Sequence, residues 1–125
     1  MSEGPFQWTV FRAALDPVLG SEQTGSRPVL VVSSEVLNEA LPIVVVLPLT
    51  SAKPGRRVYA TEALLPAGAA GLPASSIVLG HQIRTIAKQR LQAAYGRLDD
   101  PALRRAVKAA MAIVLDMEGG GDWPQ

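Results

Sequence analysis

Residues 28–50 read PVLVVSSEVLNEALPIVVVLPLT, and the two apolar runs in this stretch decide the fold. The first run, PVLVVS at 28–33, is apolar on both faces, as in a buried strand, and its opening proline is tolerated at a strand's first position. The second run, IVVVL at 43–47, has the same character, and residues 48–50 continue its line. We therefore predict two buried strands at the centre of a sheet.

The flanking sequence extends this pattern of short strands. Further strands are predicted at 6–15, 58–65 and 76–79, and turn-rich segments at 16–26 and 66–74 separate them. A parallel sheet would need helical crossovers between its strands, and none is indicated here. The pattern therefore favours an antiparallel barrel over a βαβ fold.

The last third of the chain carries a helical pattern instead. Asp99 or Asp100 can cap a helix, and Pro101 suits its first position. Apolar residues then recur at helical spacing, at Leu103, Val107, Ala110 and Val114, with Ala106, Ile113 and Met117 widening the stripe. We predict a helix that packs one face on the sheet and stops at the glycines 119–121.

Length and composition exclude several classes of protein. The chain has 125 residues, enough for one domain, and its twelve Lys and Arg against eleven Asp and Glu give a net charge of +1. This balance excludes nucleic-acid binding by bulk charge alone, although a local basic groove remains compatible with it. There is no cysteine, so disulfides, zinc–thiolate sites and thiol nucleophiles are excluded. A single histidine, His81, makes no metal site, and we expect neither a metal ion nor a cofactor.

No membrane or export signal is evident. The longest apolar run, at 41–49, contains two prolines and is far shorter than the about 20 residues that a spanning helix needs. The first residues lack the pattern of a signal peptide. We predict a cytoplasmic protein without a membrane partner, and its hydrophobic content of 48% indicates either a generous core or a dimer face.

The candidate site residues stand at strand ends. Arg27 directly precedes PVLVVS, and Thr50 directly follows IVVVLPL. If these strands are antiparallel neighbours, a guanidinium and a hydroxyl share one edge, under the polar loop that holds Ser21, Glu22 and Gln23. Such a group suits an anionic substrate, since arginine binds phosphate with a planar fork. The alternative is that Arg27 merely blunts a strand end and Thr50 closes a turn.

Three ordered blocks of sequence resemble the MazF/PemK/Kid family of toxin endoribonucleases. They are GSEQTGSRPVLVVS at 20–33, VLPLTS at 46–51 and SIVLGHQIRTI at 76–86, and the likeness runs from about residue 10 to 115. The resemblance implies a compact SH3-like barrel sheet with a C-terminal helix, in a toxin-like domain at 1–118 with a flexible tail at 119–125. It also implies a homodimer that cleaves single-stranded RNA without a metal ion, leaves 2′,3′-cyclic phosphate and 5′-hydroxyl ends, and is inhibited by a cognate antitoxin.

The resemblance also assigns roles to individual residues. The family's catalytic arginine and threonine fall on Arg27 and Thr50. RNA-contacting positions fall on loop residues and on the third block, namely Ser21, Glu22, Gln23, His81, Gln82 and Arg84. His81 stands where the family often has an acidic residue, so either RNA contact or a structural hydrogen bond is open to it. For Arg84, phosphate contact or a structural ion pair is equally compatible with the sequence.

Other interpretations stay open. The basic loop that holds Lys53, Arg56 and Arg57 is either a solvated segment, an electrostatic flap over RNA or an edge for an acidic antitoxin tail. As a whole, the chain could instead be a non-enzymatic DNA gyrase poison of the CcdB branch. A third reading is an inactive member that only binds an antitoxin, and the intact Arg27 and Thr50 argue against it.

Overall fold

A computed structural model describes residues 4–15 and 25–117 of the chain. In this part an antiparallel sheet of seven strands is joined by two α-helices and three short 3-10 helices. The strands are β1 (Thr9–Ala14), β2 (Ser26–Val31), β3 (Ile43–Ser51), β4 (Glu62–Leu65), β5 (Ser76–Leu79), β6 (Arg84–Ala87) and β7 (Leu91–Arg97); the α-helices are α1 (Glu35–Ala40) and α2 (Pro101–Val114); the 3-10 helices are Ala69–Gly71, Gly80–Gln82 and Lys88–Arg90.

The long strand β3 organises the sheet. It pairs with β2 along one side, and along the other side it pairs first with β6 and then with β5. The continuous order is β4-β5-β3-β2-β1-β7, and every pairing is antiparallel. The predicted antiparallel sheet and C-terminal helix are therefore confirmed, and the two apolar runs lie at its centre.

Successive side chains of β3 point to opposite faces of the sheet, where they join two separate hydrophobic clusters. Leu47 and Leu49 point into the first cluster, where Val107 of α2 also lies. Val44 and Val46 point into the second cluster, on the opposite face. Because both faces of β3 are buried, its sequence is continuously apolar rather than alternating with polar residues.

The short helix α1 links β2 to β3 through a buried polar network. Ser34 caps the helix by accepting a hydrogen bond from the Leu37 N–H at 3.3 Å. Asn38 is fully buried, and its side chain accepts from the Ser33 hydroxyl at 2.5 Å and donates to the Ser33 carbonyl at 2.9 Å. The sequence pattern did not reveal α1, because six residues are too few for a helical periodicity.

Several predicted boundaries differ from the structure. The strand predicted at 58–65 is wrong in its first half, because residues 59–62 form a turn closed by the Glu62 N–H and the Tyr59 carbonyl at 2.9 Å. The first strand covers Thr9–Ala14 rather than all of 6–15. Asp100 is the helix cap and Pro101 opens α2 as predicted, but the helix ends at Val114. The predicted tail at 119–125 lies outside the described residues.

Among residues 4–15 and 25–117, no helix has the length and apolar character that crossing a bilayer requires.

Candidate active site

Arg27 and Thr50 lie at neighbouring ends of β2 and β3. Strands β2 and β3 are paired through Val29 and Pro48, and Arg27 and Thr50 each lie two residues beyond that pair. Continuing the register therefore sets Arg27 across from Thr50, and two facing residues of an antiparallel pair direct their side chains to the same face. Both residues are half-buried. The two residues predicted at this edge therefore stand at adjacent strand ends, each two residues past the last pair that β2 and β3 form.

The face that carries them is the one opposite α2. Val29 of β2 and Val46 of β3 belong to the second hydrophobic cluster, and side chains two residues apart on a strand share a face. Arg27 and Thr50 therefore continue this face beyond the cluster, at its rim. An arginine and a hydroxyl at the rim of an apolar wall can bind an anion such as a phosphodiester with charge-assisted hydrogen bonds.

Arg84 lies on the same face from the opposite side of β3. In the pairing of β6 with β3, Arg84 faces Val46, and Ile86 faces Val44. Ile86 belongs to the second cluster, and Arg84 is half-buried one step nearer the rim. Arg84 therefore shares a face with Arg27 and Thr50. Its partner on β3, Val46, is separated from Thr50 by one position on that face, Pro48.

His81 and Gln82 are presented by the 3-10 helix Gly80–Gln82, which follows β5. This segment approaches the start of β4 so closely that a Cβ at position 80 would lie 2.5 Å from the Thr61 carbonyl oxygen. A glycine is therefore needed for the segment to sit where it does. The His81 side chain is exposed, whereas Gln82 is half-buried.

Glu62 is a charged residue at this site that the sequence reasoning missed. Its side chain is only 3% exposed, and its two oxygens accept hydrogen bonds from Arg56 Nη1 at 2.9 Å and Nη2 at 3.0 Å. The Tyr59 N–H adds a third hydrogen bond at 3.1 Å, and His81 Nδ1 lies 3.9 Å from Oε2. The one available signal is a lone carboxylate inside the predicted apolar strand 58–65, five residues after the last arginine of the basic loop.

These contacts control the ionisation of the carboxyl group. The hydrogen bonds from Arg56 lower the pKa of Glu62 below its ordinary value, against the opposing effect of burial. The hydrogen bond from the Tyr59 N–H and the charges of Arg56 and His81 act in the same direction as the Arg56 hydrogen bonds. Glu62 is therefore a carboxylate at neutral pH, and Arg56 is an ion-pair partner rather than a simply solvated loop residue.

The predicted loop residues Ser21, Glu22 and Gln23 lie outside the described residues. The described flanks of that loop meet, because the Leu15 N–H donates to the Gly25 carbonyl at 3.0 Å. Leu15 and Gly25 therefore lie next to each other, two residues along the chain from Arg27 on the β2 side. Over the parts of the chain that the structure describes, no three His, Cys, Asp or Glu side chains are grouped so that they could hold a metal ion.

Comparison with known proteins identifies the family. Residues 6–115 match the model of the PemK-like, MazF-like toxins of type II toxin–antitoxin systems. The chain is 36% identical over 108 residues to the endoribonuclease EndoA of Bacillus subtilis, covering 84% of this chain and 92% of that protein. It is 32% identical over 100 residues to the endoribonuclease MazF of Staphylococcus saprophyticus, covering 80% of this chain and 82% of that protein.

A solved structure agrees with these relatives. An endoribonuclease from a mycobacterial species, in complex with its cognate antitoxin, superposes with a TM-score of 0.74 at 25% identity, covering 91% of this chain and 97% of that chain. The fold, the order of the three sequence blocks and the match over most of the chain all lead to the same assignment. The chain therefore belongs to the PemK-like, MazF-like toxins of type II toxin–antitoxin systems.

Proposed function

We propose that this endoribonuclease toxin cleaves single-stranded mRNA sequence-selectively and without a metal ion, with Arg27 and Thr50 as its catalytic residues. The endoribonuclease activity rests on the family and on its EndoA and MazF relatives. The observation that supports the catalytic pair is the register of β2 and β3: it ends at Val29 and Pro48, and its continuation by two residues would set Arg27 across from Thr50.

The proposed reaction takes its nucleophile from the substrate. The ribose 2′-oxygen forms a bond to the phosphorus, the bond from phosphorus to the 5′-oxygen breaks, and the products are a 2′,3′-cyclic phosphate and a 5′-hydroxyl. One proton leaves the 2′-hydroxyl and one is delivered to the departing 5′-oxygen. The protein must therefore orient the attack and stabilise the doubly charged phosphorane.

The side chains divide this work. Arg27 stabilises the phosphorane, because a guanidinium stays charged and presents parallel donors to two phosphate oxygens. Thr50 holds the phosphate or relays a proton through its hydroxyl. Glu22, the carboxylate of the adjoining loop, is the candidate general base. Gln82, Arg84, His81 and the loop residues Ser21 and Gln23 contact the rest of the RNA.

The partners follow the family. An endoribonuclease that superposes on this chain was solved with its cognate antitoxin, and we propose that an antitoxin likewise binds and inhibits this toxin. We propose further that the toxin acts as a homodimer in the cytoplasm, where mRNA is found. Exposed apolar side chains at the end of α2, among them Ile113 and Leu115, offer surface for a second copy.

One experiment tests the reaction and the catalytic pair together. Purified toxin is incubated with a long single-stranded transcript in EDTA, and the new 5′-hydroxyl ends are mapped by sequencing. We expect cleavage at a recurring short motif, and a loss of about 10²–10³ in rate for Arg27→Ala and Thr50→Ala. Arg105→Ala and Thr85→Ala are matched controls, since both residues are exposed and Thr85 lies on β6 facing away from the second cluster.

Two results would contradict the proposal. Loss of cleavage in EDTA, with recovery on adding a divalent metal, would show that a metal ion takes part. Wild-type rates in Arg27→Ala would remove that residue from the mechanism. DNA gyrase cleavage complexes without RNA loss would instead favour the gyrase-poison alternative.

A further inference from the structure

One aromatic side chain near the site is open to solvent. Tyr59 is 53% exposed, and it is the only exposed aromatic residue among residues 4–15 and 25–117. Two guanidinium groups lie over its ring, with the Arg57 carbon 5.0 Å and the Arg56 carbon 5.9 Å from the ring centroid. Exposed aromatic rings flanked by arginines can stack nucleobases and attract phosphates, since bases stack on aromatic faces and on guanidinium planes alike.

The ring stands on a fixed segment of backbone. Glu62 accepts the Tyr59 N–H at 3.1 Å, and the Glu62 N–H donates to the Tyr59 carbonyl at 2.9 Å. The same carboxylate holds Arg56 with two hydrogen bonds. The backbone N–H and the backbone carbonyl of Tyr59 are therefore both hydrogen-bonded to one buried residue, Glu62. Because this backbone is already held in place, a ligand that stacks on the ring costs little backbone conformational entropy.

Glu62, which holds Arg56 and the Tyr59 backbone, lies on the face of the sheet that carries Thr50. Thr50 faces Ile77 across β5, and Ile77 faces Leu64 on β4, so these three side chains share a face. Glu62 is two residues before Leu64 and points the same way. Glu62 is thus offset from Thr50 by two strand spacings across the sheet and two residues along it, roughly 12 Å in all.

The positive charges around Tyr59 favour RNA over an apolar partner at this surface. Arg57 and Lys53 are exposed, and Arg56 lies over the ring while paired with Glu62. A polyanion satisfies these cations, whereas a purely apolar contact would leave them buried without partners.

We propose that Tyr59, together with Arg57, is a stacking site for an RNA base that flanks the cleaved bond, and that Glu62 positions this site. The inference rests on the proposed RNA cleavage and adds to it a specificity-determining residue. The stacked base is held by the ring face and the guanidinium plane, so the site contributes to RNA affinity and to base preference rather than to bond breaking.

The test compares Tyr59→Ala and Tyr59→Phe with the wild type in two measurements. The first is the Kd for a pool of random-sequence 2′-O-methyl RNA oligonucleotides, which cannot be cleaved. The second is the kcat and KM for a long transcript, with 5′-hydroxyl ends mapped. For Tyr59→Ala we expect Kd and KM to rise about five- to 100-fold with kcat nearly unchanged, and a flatter base preference beside the cut. Tyr59→Phe retains the ring and should behave as the wild type.

Two further variants test whether Glu62 positions the Tyr59 site and whether the loss of any exposed side chain has the same effect as the loss of the ring. Glu62→Gln should raise KM in the same direction with kcat retained, because it releases Arg56 and loosens the Tyr59 backbone. Val36→Ala removes an exposed apolar side chain on α1, 78% exposed, and should leave Kd and KM unchanged. Circular dichroism of each variant verifies the fold.

Three results would overturn the stacking site. The first is a Tyr59→Ala toxin with wild-type Kd, KM and base preference. The second is a shift of that variant to monomer with RNA affinity restored at high concentration, which would make Tyr59 a contact between copies. The third is unchanged RNA binding with lost inhibition by the co-expressed antitoxin. The Kd measurement involves no cleavage, so it stands even if the catalytic roles of Arg27 and Thr50 fail.

Discussion

Glu62 and Arg56 form a two-point ion pair in which both carboxylate oxygens accept guanidinium nitrogens, at 2.9 and 3.0 Å. The pair joins the first residue of β4 to the loop that follows Thr50, and only the arginine side is partly exposed. Two parallel hydrogen bonds fix the orientation as well as the distance of the partners. The loop is thereby held to the sheet at a defined angle.

The ion pair predicts how stability depends on pH. The pKa of Glu62 is lowered in the folded protein, chiefly by Arg56, whereas in the unfolded chain it returns to about 4.3. The carboxylate therefore stabilises the fold fully above that pH, and the contribution is lost as pH falls through the folded pKa. We expect the free energy of unfolding to decline as the pH falls from about 5.

Glu62→Gln isolates this contribution. The variant should be less stable than the wild type at pH 7, and the difference should shrink on acidification. Urea unfolding at a series of pH values measures both curves. Glu35, whose pKa is lowered by hydrogen bonds from Asn38 and from two backbone N–H groups despite burial, contributes to both proteins equally. Parallel curves for the two proteins would contradict the prediction.

The roles proposed for Arg27 and Thr50 predict different effects of conservative substitutions, which distinguish the need for charge from the need for geometry. Arg27→Lys keeps a positive charge but loses the planar fork, so its cleavage rate should fall between those of the wild type and Arg27→Ala. Thr50→Ser keeps the hydroxyl and should retain most activity, whereas Thr50→Val should lose about 10²–10³ in rate. Initial rates on one transcript measure all four variants. Equal rates for Thr50→Ser and Thr50→Val would exclude a role for the hydroxyl.

The close approach of Gly80 to the start of β4 predicts a steric effect. In Gly80→Ala the new Cβ would lie 2.5 Å from the Thr61 carbonyl oxygen, so the backbone must move. We expect a destabilisation of about 1–3 kcal/mol and a higher KM, since the shift displaces His81 and Gln82. Urea unfolding and cleavage kinetics measure the two effects. A variant with unchanged stability would show that the segment moves freely.

The buried amide of Asn38 predicts a large effect far from the site. Asn38→Ala leaves the Ser33 carbonyl without its donor and the Ser33 hydroxyl without its acceptor, although the hydroxyl still accepts from the Val45 N–H at 3.0 Å. A buried polar group without a partner costs about 1–3 kcal/mol. Glu39→Ala, at the exposed neighbouring position, should change stability by less than about 0.5 kcal/mol. Denaturant unfolding compares the two. Equal effects would refute the network's role.

The sequence predicted the parts of the fold that hydrophobic pattern alone determines. The runs that became β2, β3 and β5 are apolar because both faces of these strands are buried, and Asp100 with Pro101 marked the start of α2. Strands β6 and β7 gave no such signal. Every residue of β7 is exposed or half-buried, and its place is set by pairing with β1, so tertiary contacts rather than local sequence determine it.

The same distinction holds for the site. Arg27 and Thr50 could be predicted as neighbours, because antiparallel pairing relates the start of one strand to the end of the next. The contacts of Glu62 with Arg56 and Tyr59 could not be predicted, because these residues are joined through an irregular loop without periodicity. The predicted strand at 58–65 includes Tyr59, and only the turn between Tyr59 and Glu62 shows that this residue lies outside the sheet with an exposed ring.

Strand β3 is held on both sides, and this bears on how such a toxin is controlled. Three other strands pair along its length, and its last residues, which include Thr50, are bonded to β5. Exposing this backbone requires sheet pairs to open together, and such segments exchange their amide protons only in the rarest openings. The hydroxyl proposed to act in catalysis would therefore keep its place whether or not a partner is bound. Under that proposal, inhibition requires a partner that covers the surface, and its removal would restore activity without any refolding.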